Sequence, residues 1–212
     1  MPRGYALVLT LLVLAAALFA GWFSTTRVVY FAPNLLTQSS GCSWIGGDEP
    51  IIDQFEADWY GGELRAFEEP SLYLASLEPH AGHRGSIRFT WIRSFHEPVV
   101  VRIDRASDGA GTLTAKQRPG GTGFSGQGRT LRRALTSSEE NRLGSVLATT
   151  RVLDQKPKTC DGGLDGARWI IEATDGSGTY TYLNRWSPRD GPVKELGEFM
   201  IGLTGWDVDP IY

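Results

Sequence analysis

Ser86-Ile87-Arg88-Phe89-Thr90-Trp91, followed across His96-Glu97-Pro98 by Val99-Val100-Val101-Arg102-Ile103-Asp104, is the stretch on which the fold turns. Ile87, Phe89 and Trp91 alternate with Ser86, Arg88 and Thr90; Val99, Val101 and Ile103 alternate with Val100, Arg102 and Asp104. A period of two sends successive side chains to opposite faces, so two half-buried strands joined by a turn are expected. Ser107-Asp108-Gly109-Ala110-Gly111 supplies a second turn into Thr112–Lys116, which makes an antiparallel meander of three strands.

Working outward toward the C-terminus, Arg129–Leu135 reads as a further strand. Thr136-Ser137-Ser138-Glu139 then has capping-box spacing, and Leu143, Val146 and Leu147 give the following helix its apolar face. Trp169, Ile171 and Ala173 pair with Tyr180 and Tyr182 across Asp175-Gly176-Ser177-Gly178 as a hairpin. Pro192 suits the first position of a helix whose apolar residues are Val193, Leu196, Met200 and Leu203. Toward the N-terminus, Asp53–Tyr60 and Glu63–Phe67 read as short helices interrupted by Gly61-Gly62, with Pro70 as a stop. Hairpin-length turns without a βαβ rhythm predict an α+β fold, an antiparallel sheet of about five to six strands with helices packed on one face.

Tyr5–Phe23 contains no charged residue and is dominated by Leu, Val and Ala. As a helix it would extend about 28 Å, close to the roughly 30 Å hydrocarbon thickness of a bilayer. Residues 1–27 are therefore expected to be a transmembrane anchor, with a cleaved signal peptide as the alternative. Either would put the rest of the chain beyond a membrane. Residues 28–50, rich in Asn, Ser, Gly and Pro, read as a linker, and 51–212 as an extracytoplasmic domain. The expected location is the bacterial cell envelope, anchored in the inner membrane with the domain outside the cytoplasm, or secreted after signal cleavage. Both cysteines, Cys42 and Cys160, fall in the exported part, where one disulfide between them is expected.

Without Arg3 and Arg27 the chain carries 19 Lys and Arg against 24 Asp and Glu, an acidic balance that disfavours nucleic acid as a partner. Lys116, Arg118, Arg129, Arg132 and Arg133 form a basic tract that reads as a solvated face in preference to a site for anionic lipid or an acidic partner. Gly121-Thr122-Gly123-Phe124-Ser125-Gly126 spells a dinucleotide fingerprint, but Pro119-Gly120 precedes it and no helix pattern follows, so a loop is expected. The same loop lacks the last glycine of a nucleophile elbow. His80 and His83 fall beside Pro79 and Gly82, which favours a loop over a metal site. No cofactor and no metal is expected. Glu172 shares a strand face with Arg168 and Ile170, a position suited to a buried acid paired with an arginine. Among Trp59, Trp91, Trp169, Trp186 and Trp206, most are expected in the core, and an exposed one would anchor an interface.

At Phe67-Glu68-Glu69-Pro70-Ser71-Leu72, Arg93-Ser94-Phe95-His96-Glu97-Pro98 through to Arg102, Asp165–Glu172 and Tyr182–Pro188, the chain resembles a group of bacterial exported or membrane-anchored proteins with no assigned activity. The resemblance implies an envelope protein and no catalytic residue. Glu69, His96, Arg102, Asp165, Glu172 and Arg185 are the candidate binding residues. The favoured function is non-catalytic binding, with the membrane engaged through the N-terminal helix and an envelope protein as partner. The alternative is a hydrolase using Glu69, Asp165 and Glu172 with His96, provided the fold brings them within reach of one another.

Overall fold

A computed structural model of the chain describes residues 29–44, 47–78, 83–119, 128–208 and 211–212. The apolar N-terminal run, the glycine-rich fingerprint and His80 lie outside the described residues, while His83 opens a strand. Among the described residues no helix is long and apolar enough to cross a membrane.

The elements run β1 (Ser39–Trp44), β2 (Gly47–Pro50), α1 (Gln54–Ala66), α2 (Leu72–Leu77), β3 (His83–Arg93), β4 (Val99–Ala106), β5 (Gly111–Gln117), β6 (Arg129–Ala134), α3 (Ser137–Thr150), β7 (Ala167–Asp175), β8 (Tyr180–Trp186) and α4 (Pro192–Gly202). Short 3-10 turns occupy Pro33–Leu36 and Val152–Asp154. β1 and β2 form a hairpin of their own, and the other six strands form one antiparallel sheet in the order β6-β5-β4-β3-β7-β8. The α+β class and the antiparallel meander follow the alternation described above.

Helices cover both faces of this sheet, not one. Phe89, Trp91, Val101, Ile103, Leu113, Trp169, Ile171 and Leu183 pack with Leu143 of α3 and with Val193, Leu196 and Met200 of α4. On the opposite face Ile92, Val100, Ile170 and Tyr182 pack with Tyr60 and Leu64 of α1 and with Tyr30, Phe31, Ile51 and Ile52. The central strands are consequently buried on both sides, with Arg88 at 0% exposure, Thr90 at 1% and Ser86 at 3%. The alternating pattern was correct in period, but the polar row faces a second layer instead of water.

That second layer begins inside the stretch read as a linker. Tyr30, Phe31, Ala32 and Leu35 are core residues, and β1 and β2 follow them. Their apolar positions are too few and too irregularly spaced to show a period. The Cys42–Cys160 disulfide is present and joins β1 to the segment after α3, with a Cα separation of 5.3 Å. α1 also departs from expectation, running unbroken through Gly61-Gly62. Gly61 lies against Tyr30, where an added Cβ would sit 3.3 Å from the ring, so close packing accounts for a glycine in the helix interior. Its capping box pairs Asp53 with Glu56, and that of α3 pairs Thr136 with Glu139 as predicted.

Candidate functional site

The polar row of β3, β4 and β7 builds a buried charge network beneath α1 and α2. Arg88 of β3 lies opposite Glu172 of β7 in the ladder. Its Nε and Nη2 donate to Glu172 Oε2 at 3.0 and 2.6 Å. Its Nη1 donates to the Pro70 carbonyl at 2.6 Å and lies 3.9 Å from Glu69. The Tyr180 hydroxyl donates to the other oxygen of Glu172 at 2.8 Å. Burial pushes that hydroxyl well above its usual pKa, and the Glu172 carboxylate pushes it further.

Glu69 is held between three cations. Lys116 Nζ lies 3.0 Å from one oxygen, and Arg102 lies 3.2 Å from the other, as ion pairs without aligned hydrogen bonds. Arg102 also reaches Asp104 at 3.1 Å, which accepts from Ser86 Oγ at 2.6 Å. Lys116 donates to the carbonyl of Phe67 at 2.6 Å. Three basic groups thus face three carboxylates, and the side chains of Arg88, Glu69 and Glu172 are wholly sealed from solvent. A second cluster on the same face holds Glu56 against Arg168 at 3.3 Å and Lys158 at 3.4 Å, with Tyr60 donating to Glu56 at 3.2 Å.

The structure therefore brings Glu69, Arg102 and Glu172 together and separates the other three candidates from them. His96 sits in the β3–β4 turn, its Nδ1 2.8 Å from the Tyr212 hydroxyl, and Tyr212 packs on Trp91 of the α3–α4 face. Asp165 is exposed in the loop before β7. Arg185 donates to the carbonyls of Lys156 and Pro157 at 2.7 and 3.2 Å, and burial lowers its pKa. The arginine partner of Glu172 is Arg88, whereas Arg168 belongs to Glu56. Alternation alone does not tell whether the row holding Arg88 meets water or a second layer, so the sequence carries no signal for this pairing. Sealed, ion-paired carboxylates can fix α2 and the Glu69–Pro70 turn to the sheet, and in this arrangement neither Glu69 nor Glu172 faces solvent.

A solvent-facing feature lies beside this network, along the outer edge of β8. Asn184 N–H points away from β7 and donates to the Pro157 carbonyl at 2.7 Å, where Lys158 makes a parallel bridge to β8. Main-chain groups alternate in direction along an antiparallel strand, so those of Tyr182 and Tyr180 face the same outer side. They open onto a groove of about 390 Å³ walled by Leu35, Gln38, Tyr73 and Leu77 and closed at one end by Pro157. Leu77 is 58% exposed. No protein-family model matches this chain, and no curated protein is significantly similar to it.

Proposed function

We propose that this chain is a non-catalytic binding module of the bacterial cell envelope. Its N-terminal apolar segment carries it to the membrane, and its domain takes an extended stretch of a partner protein into the β8 groove. The observation that carries the reading is the contrast between the two sheet edges. β6 presents Arg129, Arg132 and Arg133, the kind of charge that discourages strand pairing. β8 instead runs beside a groove, its tyrosine side chains turned into the second layer, and the chain's own segment at Lys158 already meets it in one parallel bridge. Main-chain pairing would supply affinity, and Leu77 and Tyr73 would receive alternate side chains of the bound segment.

The disulfide is compatible with an exported protein. The hydrolase reading has less support, since His96 and the paired acids serve opposite faces of the sheet.

A random peptide library displayed on phage and selected against the full chain tests the proposal. Expected are extended peptides with alternating apolar residues. Their binding should slow amide exchange at Tyr180 and Tyr182, and Leu77→Arg should reduce it at least tenfold with an unchanged melting temperature. Peptides that protect another surface, or a selection that enriches nothing, would remove the groove as the binding site.

A further inference from the structure

The outward stripe of α1 is unusual for a helix facing water. Residues spaced i, i+4, i+7 and i+11 along it are Phe55, Trp59, Gly62 and Ala66, with no charge among them. Phe55 is 73% exposed and Trp59 40% exposed, and their rings stack at a tilt with centroids 6.0 Å apart. The opposite side of the same helix is buried through Glu56, Tyr60, Gly61 and Leu64, so the helix cannot turn its aromatic pair inward.

The chain enters the described domain beside this helix. Ser71 Oγ donates to the Val29 carbonyl at 2.6 Å, and Tyr30 packs against Gly61, which fixes the entry point against α1. A groove of about 500 Å³ runs between Val29–Phe31 and the flank of α1. Only Ser24–Val28 separate Val29 from the uncharged run that ends at Phe23. At about 3.5 Å per residue this connection reaches roughly 20 Å at most. A connection of that length keeps the domain close to the bilayer, and α1 is the helix beside the point of attachment.

We infer that the Phe55–Trp59 face of α1 rests in the headgroup region of the bilayer that holds the N-terminal segment. The inference rests on the anchoring part of the function proposed above. Trp favours that zone, where an apolar ring body is desolvated and the indole N–H still finds a partner, and Phe55 adds apolar surface beside it. Arg65, exposed nearly two turns beyond Trp59 on the flank it shares with Asp58, is placed to meet phosphate. The contact fixes which way the domain faces, as a second point of attachment besides the tether.

The test uses the full chain labelled with 5-fluorotryptophan, in nanodiscs of phosphatidylethanolamine and phosphatidylglycerol containing a headgroup-spin-labelled lipid. The Trp59 fluorine resonance is assigned by its loss in Trp59→Phe. Strong broadening of Trp59 by the spin label, with Trp186 and Trp206 left sharp, is the expected result. Trp59 as sharp as Trp206 in a chain that remains in the nanodisc would overturn the inference and leave the anchor standing. A chain that elutes without lipid would overturn both.

Discussion

Arg88 and Glu172 make the sharpest prediction at the scale of single residues. Each is wholly buried and bonded to the other, so truncating one strands a charge in the core. Arg88→Ala or Glu172→Ala should each cost about 3–5 kcal/mol of unfolding free energy, measured by urea denaturation. The double substitution Arg88→Met with Glu172→Leu should recover most of that loss, because no unpaired charge remains. Glu139 gives a pH dependence of opposite visibility, at the surface. The Arg133 guanidinium, with the Thr136 backbone, holds its carboxyl at about 2, below the usual 4.5. A depressed folded-state pKa stabilises above the unfolded value, so this contribution is complete above about pH 4.5 and fades as pH falls toward 2. The melting-temperature gap between the protein and Glu139→Gln should shrink across that window, and a gap independent of pH would exclude the linkage. The effect is modest, since both partners are solvent-screened.

Elements with a strong local signature were legible in advance: the capping box at Thr136, the 175–178 turn, and the spacing of Val193, Leu196 and Met200 in α4. What escaped was whatever depends on a partner distant in sequence. Alternation gives the period of β3 but not whether its second face meets water or α1, and that ambiguity hid Arg88 and led to helices being placed on one side. The core residues inside the expected 28–50 linker are hidden for a related reason, as Tyr30 and Phe31 acquire their burial from α1 and β8. The candidate site is half legible: alternation marks Glu172 as an acid to be paired with an arginine, and Glu69 stands before Pro70, but the choice of Arg88 over Arg168 depends on the β3–β7 register. At this scale α4 offers a test. A methyl on Gly197 would approach Trp169 to 2.5 Å, so Gly197→Ala should lower stability by about 1–3 kcal/mol despite alanine's better helix propensity. A gain in the urea midpoint would mean that α4 sits farther from the sheet than described.

Considered as a whole molecule, the protein is two apolar layers sharing one sheet, with the disulfide as the covalent tie between the β1–β2 hairpin and the strap that covers the end of β8. Replacing Cys42 and Cys160 by serine should cost about 4–5 kcal/mol if chain entropy governs. It should also speed amide exchange at Asn184, whose partner is the Pro157 carbonyl. Unchanged exchange there would show that the strap holds without the bond. The order β6-β5-β4-β3-β7-β8 carries a further consequence, for biogenesis. A chain emerging from its N-terminus completes the β3–β6 meander while Phe89 and Trp91 still lack Ile171 and Trp169, because β7 arrives only after α3. For that interval the nascent sheet displays an open apolar edge at its future centre, the kind of transient surface that invites wrong pairing until β7 arrives.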